Sequence, residues 1–232
     1  LRKLNKSLNL VECMDEIPVK DLIKELHQKK MTPALYFVYS KRNCKTLMKE
    51  TSDSVGQLLT FAERKEVQRK IDEVKNKGIF LGTDFCTDIM PCLLNGFAMH
   101  NAGMLPQCKS FIEELGRNKL IKVCFATDTL GAGINFPFKT VIFSSFEKFG
   151  DNGFDEISIN SFKQGAGRAG RRGIDTQGFV YTMPTDRFSD KDFKALELRD
   201  CNPLESQYNS NYAFLCGFFE HNAKQNDLAN IC

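Results

Sequence analysis

The chain has 232 residues, of which 42% are hydrophobic and 26% charged, with a formal net charge of +3. That length buries a substantial core, in one large domain or in one domain with an appendage, and the mildly basic balance neither demands nor excludes a nucleic-acid partner. Nine cysteines with no C-x-x-C pair fit neither a disulfide framework nor a zinc site; they point to a reducing compartment, cytoplasmic or nuclear, and no metal ligands are expected in this chain. No apolar run approaches the roughly 18 residues of a membrane span, and no signal peptide opens the chain, so no membrane partner is expected.

Beginning at Leu1, the sequence reads as starting in mid-stream, a piece of something longer. Residues 1–32 read as an entry segment followed by a helix, because Val19 to Leu26 places apolar residues at helical spacing after Pro18. Asp15-Glu16 has the letters of the metal-holding end of an ATPase strand. No G-x-x-x-x-G-K-[ST] loop exists anywhere in the chain, so the pair reads as ordinary structure.

Ala34 to Tyr39, a short apolar run after Pro33, predicts a buried parallel strand. Ser40, Lys41, Arg42 and Asn43 follow at its tip. Ligands of open parallel sheets bind beyond the carboxyl ends of the strands, so Ser40 and Arg42 are placed to meet a phosphate backbone, a role compatible with Ser40 capping a helix. Thr60 to Val74 predicts a solvated helix with Phe61, Val67, Ile71 and Val74 as its apolar stripe, and Cys86 to Leu94 predicts another. Phe97 to His100 reads as a strand whose tip carries His100, Asn101 and Gly103, and Pro106 opens a helix running to about Leu115.

Ile121 to Ala126 predicts a third strand, ending in Thr127, Asp128 and Thr129. A turn-rich run with Gly131, Gly133, Asn135 and Pro137 leads to a fourth at Thr140 to Ser144, and Phe179 to Thr182 makes a fifth. Alternating apolar strands and helices give the α/β class: a mostly parallel sheet over residues 33–185, with helices on both faces and the polar tips gathered on one edge. Residues 186–232 change character. Tyr212, Leu215, Cys216 and Phe219 form a helical stripe with no strand partner, a C-terminal helical extension that packs on the sheet or opens a further domain.

The densest signal is Gln164 to Gly173, Q-G-A-G-R-A-G-R-R-G. On a helix Gln164, Arg168 and Arg171 fall at i, i+4 and i+7 and line one face. Gly165, Gly167 and Gly170 each cost such a helix about 1 kcal/mol relative to Ala, which argues for close approach of the backbone to a ligand or a neighbouring element, with guanidiniums suited to holding phosphate. A solvated basic helix would be poorly served by those glycines. The same letters spell G-x-G-x-x-G, but Ser158 to Lys163 is no apolar strand. Ser158 instead caps a helix that begins upstream of the first glycine, which argues against a dinucleotide fold.

In order, these features resemble the second RecA-like lobe of superfamily-two helicases. The tip at Ser40 is similar to motif IV, His100-Asn-Ala-Gly-Met-Leu-Pro106 to the H-x-x-G-L-L-P element, Ala126 to Pro137 to motif V, and Gln164 to Gly173 to motif VI. The G-R-A-G-R-R-G form, the G-I-N-x-P ending and the H-x-x-G element resemble the superkiller (Ski-two-like) branch of DExH-box RNA helicases. Pro203 to Tyr208 resembles the segment leading to that branch's winged-helix domain. Gly165 stands where the branch usually carries a larger residue, and Leu130-Gly131 departs from the usual apolar pair of motif V.

The resemblance implies an ATP-dependent RNA helicase, of which this chain is half of the active unit. A first RecA-like lobe would hold ATP with Mg²⁺; Arg168 and Arg171 would reach its γ-phosphate, with Gln164 beside the phosphate or the attacking water and Gly133 and Asn135 near ribose and phosphates. Ser40, Arg42, His100, Asn101, Gly103, Thr127 and Asp128 would grip single-stranded RNA, DNA not being excluded, and the chain alone would be inactive. Two other classes compete: a passive RNA-binding module, and a nicotinamide-binding domain through the glycine pattern. The motor reading expects both guanidiniums outside the lobe's core and on the edge where the strand tips lie.

Overall fold

In Ala34–Phe37, Phe97–His100, Val123–Ala126 and Thr140–Phe143 every residue is buried. Unbroken burial along a strand means that both faces of the sheet are covered. The computed structural model describes residues 9–10, 17–79, 81–127, 138–150, 153–171 and 173–183, all within the unit Leu1–Cys201. In chain order the strands are β1 Asn9–Leu10, β2 Ala34–Phe37, β3 Phe97–His100, β4 Val123–Ala126, β5 Thr140–Phe143, β6 Glu147–Gly150, β7 Gly153–Glu156 and β8 Phe179–Thr182.

The main sheet runs β1-β8-β5-β2-β4-β3 and every pairing in it is parallel. Its register aligns Phe37 with both Ala126 and Phe143, and His100 with Ala126. The carboxyl ends of β3, β4, β2 and β5 therefore stop at one level, about 5 Å apart from strand to strand. The entry segment supplies β1, paired with β8 at Asn9↔Phe179, a strand too short to leave a periodicity in the sequence. β6 and β7 form a separate antiparallel hairpin.

The helices are α1 Val19–Gln28, α2 Lys41–Val55, α3 Phe61–Asn76, α4 Met90–Leu94, α5 Pro106–Arg117 and α6 Ile159–Ala166. Their starts follow local chemistry. Ser40 caps α2 by accepting from the Asn43 N–H, and Thr60 and Glu63 close a reciprocal capping box on α3. Pro106 occupies the first turn of α5, where its missing N–H is harmless. The helix expected at Cys86 to Leu94 is a π-helical turn, Phe85–Ile89, running into α4. One member of the expected α3 stripe is misplaced: Val67 and Ile71 are buried, but Phe61 is 84% exposed, because it is the first helical residue and lies off the face that packs inward. The expected extension at 186–232 lies outside the described residues.

Candidate nucleic-acid edge and arginine segment

Three adjacent strands deliver the expected tips to one edge. Ser40 follows β2, Thr127 follows β4, and His100 and Asn101 end and follow β3; the Val38 N–H donates to the Ala126 carbonyl at 2.7 Å and the Thr127 N–H to the His100 carbonyl at 3.3 Å. Asp128, Gly133 and Asn135 lie outside the described residues.

The tip residues divide by exposure. Arg42 and Gly103 are exposed and Ser40 half-buried, whereas His100, Asn101 and Thr127 are 5%, 6% and 7% exposed. Asn101 Oδ1 accepts from the Gly103 N–H at 3.0 Å, folding the tip into an Asx turn that presents Gly103. Neither ring nitrogen of His100 has a hydrogen-bond partner; Nε2 stands 3.6 Å from Glu113 Oε1. Burial pulls the His100 pKa below its ordinary value, against the opposing pull of Glu113, so the ring is neutral at pH 7 and supplies no positive charge.

On α2 the cations sort in the same way. Lys45 pairs with Asp88 at 2.5 Å and Asp84 at 3.4 Å, and Lys49 pairs with Asp88 at 2.8 Å. The two ammonium groups pull the Asp88 carboxyl down to about 2. Arg42 makes no ion pair among the described residues and faces solvent. Beside it a cleft of about 480 Å³ is lined by Lys45, Asp84, Met99, Asn101, Gly103 and Leu105, among others.

The arginine segment departs from expectation in two ways. Gln164, Arg168 and Arg171 do not share a helix face, because α6 ends at Ala166 with Gly167 as its C-cap. Gln164 alone is helical, exposed, and beside a small cavity lined by Phe37, Tyr39, Phe143 and Ser161. Beyond the helix, Ala169 forms a parallel bridge with Phe138, the Arg168 carbonyl accepts from the Phe138 N–H at 3.3 Å, and Gly170 turns the chain with φ +81°. A continuous helix is incompatible with that bridge.

The second departure is position. Phe138 precedes β5 and Gly178 precedes β8, and the 168–171 backbone lies against both. It therefore sits at the amino ends of those strands, opposite the polar tips, because α6 runs back along the sheet before the chain enters β8. The expectation of a shared edge is not met. The arginines are nevertheless outside the core: Arg168 is half-buried and the Arg171 side chain 20% exposed.

The glycines are explained by neighbours. A Cβ on Gly165 would stand 3.0 Å from both the Phe37 and Phe143 rings, which stack at 5.0 Å; this is the close approach that excludes a larger residue here. Gly178, which the sequence reading passed over, meets the Ala169 and Gly170 backbone. The glycines of G-x-G-x-x-G end a helix instead of opening one, and no strand leads into them, so the dinucleotide reading fails.

Sequence reasoning also missed Asp175. Its Oδ2 accepts from Arg171 Nε at 2.6 Å and from the Arg171 backbone N–H at 3.0 Å, and its Oδ1 accepts from Nη2 at 2.7 Å. These bonds hold the Asp175 carboxyl below the usual range and push Arg171 further up. The signal was an R-x-x-x-D spacing, unremarkable among so many charged residues.

No family model matches the chain. It is 36% identical over 197 residues, 85% of this chain and 16% of the relative, to the "DExH-box ATP-dependent RNA helicase DExH15 chloroplastic" of Arabidopsis thaliana. To the "Antiviral helicase SKI2" of Saccharomyces cerevisiae it is 34% identical over 200 residues, 83% of this chain and 15% of that one. To the "Exosome RNA helicase MTR4" of Homo sapiens it is 32% identical over 197 residues, 82% and 18%. The chain thus spans less than a fifth of the length of these relatives.

Proposed function

The chain is a homologue of the DExH-box RNA helicases of the superkiller branch, matching one stretch of them, and from that premise we propose that it is the second RecA-like half of an ATP-dependent RNA helicase. The observation that carries the reading is the match to RNA helicases along more than four fifths of this chain.

The tip edge grips single-stranded RNA through its backbone. Arg42 supplies a phosphate contact and Ser40 a hydroxyl; Asn101 shapes the turn by taking the Gly103 N–H, which leaves exposed Gly103 open to close approach by the RNA backbone, and buried His100 and Thr127 support it. Bases are not read, so DNA of the same length is expected to compete to some degree. Asp128 belongs to the same edge in this reading, and Gly133 and Asn135 approach the nucleotide.

The backbone of the arginine segment lies at the amino ends of β5 and β8, which counts against this reading, since it expected the guanidiniums on the edge of the tips; the role of the arginines rests on the resemblance of Gln164 to Gly173 to motif VI. ATP lies between this lobe and a first lobe that carries the phosphate loop, and Arg168 and Arg171 stabilise the charge that develops on the γ-phosphate; Gln164, which lines a cavity with Phe37 and Phe143 at the carboxyl ends of β2 and β5, meets the phosphate or the attacking water. Among the described residues no group of three or more His, Cys, Asp and Glu side chains could hold a metal; the Mg²⁺ that accompanies the nucleotide would be held mainly by the first lobe. Lobe closure on ATP then shifts the grip at the tips. Among the described residues no helix is long and apolar enough to cross a membrane. The five described cysteines are free thiols, in keeping with a reducing compartment, cytoplasmic or nuclear.

The test is RNA-stimulated ATP hydrolysis by the full-length protein. Arg168→Ala should lower kcat by about 10³ or more while nucleotide affinity stays near the parental value. Parental turnover in that variant would end the reading. The isolated 232-residue chain should hydrolyse no ATP, and clear turnover by it would do the same.

A further inference from the structure

Arg171 is buried for four fifths of its side chain, and Asp175 is only 6% exposed. A guanidinium so placed needs a partner, and Asp175 supplies a side-on fork with both carboxylate oxygens. The carboxylate is itself fixed. Its Oδ2 also caps the Arg171 backbone N–H, and the Ile174 and Asp175 N–H groups return to the Arg171 carbonyl at 3.1 and 2.9 Å. The turn is bounded by Gly170 and Gly173, both at positive φ.

A guanidinium carries five N–H donors. Asp175 takes the one on Nε and one on Nη2, the edge nearest the backbone. The remaining donors, both on Nη1 and the second on Nη2, have no partner among the described residues. The fork therefore fixes the plane of the group and leaves its distal edge to bind a second, bidentate anion.

We propose that Asp175 is the positioning residue of Arg171: it neutralises the guanidinium in its half-buried seat and aims the distal N–H edge at the γ-phosphate of ATP. This rests on the reading of Arg171 as a group that meets that phosphate. Asp175 touches neither nucleotide nor RNA. Its removal leaves Arg171 charged and present but free to swing.

The experiment uses the full-length protein and RNA-stimulated ATP hydrolysis, with Arg171→Ala, Asp175→Asn, Asp175→Glu and the double variant R171A/D175N. Asp175→Asn is isosteric, so it removes the charge without opening a cavity. Arg171→Ala should be slow. Asp175→Asn should lower kcat by about tenfold to a hundredfold, the scale of a small misplacement of a reacting group, with KM for ATP and RNA affinity unchanged; the melting temperature falls, because a largely buried guanidinium loses its charge partner, so the rates are compared at a temperature where the variant is folded. Free guanidinium ion at millimolar concentration should restore part of the rate to Arg171→Ala and none to R171A/D175N, because only the intact carboxylate can seat it.

If Arg171→Ala is slow but Asp175→Asn turns over at the parental rate, the positioning role is overturned and the function stands. Parental turnover by Arg171→Ala overturns both. A loss of RNA affinity in step with kcat in folded Asp175→Asn makes Asp175 a structural residue only and overturns the proposal, as does equal rescue by guanidinium in both backgrounds.

Discussion

Gly178 lies so close to Ala169 that a Cβ on it would stand 2.6 Å from the Ala169 carbonyl carbon and 2.6 Å from the Gly170 nitrogen. The atoms in the way are backbone, so no rotamer change relieves the clash. Gly178→Ala must displace the turn that carries Arg168 and Arg171. The expected result is a loss of about 1–3 kcal/mol of stability, read by urea unfolding, and a steep loss of ATP hydrolysis in the full-length protein. RNA affinity should change little, because the tips lie at the other end of the sheet. Parental hydrolysis in a folded Gly178→Ala protein would mean that this contact does not govern the arginines.

Gly165 is the second close approach. A larger side chain would be driven into the stacked Phe37 and Phe143 rings, which are 5% and 2% exposed and have nowhere to move. Gly165→Met should therefore destabilise by about 1–3 kcal/mol, despite the better helix propensity of Met. The compensating variant Phe143→Leu should recover part of that loss in the double mutant, which a thermodynamic cycle over the four proteins would measure.

Arg42 is the charge offered to RNA. Arg42→Ala should weaken binding of single-stranded RNA by a similar factor for unrelated sequences, and should reduce the slope of log affinity against log salt by about 0.7, the value for one single-strand phosphate contact. Anisotropy titrations at several salt concentrations measure both. Lys45→Ala should reduce the slope less, because its ammonium is already committed to Asp84 and Asp88. Equal slopes for the two variants would contradict the division of roles on α2.

His100 makes stability depend on pH. Its folded pKa lies below the ordinary 6.5 because burial disfavours the charged ring; Glu113 opposes the shift and Lys109 adds to it. The unfolded chain thus binds a proton that the folded one refuses, so stability is full above about pH 6.5 and falls as pH drops below it, by at most about 1.4 kcal/mol per unit. Melting temperatures between pH 7 and 5 should show this decline, and His100→Gln should reduce it, leaving the part due to His27, whose pKa burial also lowers. An unchanged slope in His100→Gln would assign the dependence to other groups.

The sequence by itself determined what local pattern can carry. Short apolar runs rich in aromatic and β-branched residues, such as Ala34 to Tyr39 and Thr140 to Ser144, marked strands of a parallel sheet covered on both faces. Ser40, Thr60 and Pro106 had to mark helix starts, since their side chains and ring satisfy or spare the first turn's N–H groups. The order of polar tips followed from the parallel sheet, and the family from the motifs those tips spell. Tertiary structure decided the rest, because it depends on partners far away in the chain. α6 stops at Ala166 where Phe138 pairs with Ala169, and no residue within the helix announces that bridge. Spacing along the chain placed three polar groups on a common stripe, but only the packing of Gly165 on two rings and of Gly178 on the Ala169 backbone shows which end of the sheet receives the arginines. Periodicity reports that a residue is buried or exposed; which neighbour holds it is a property of the assembled fold.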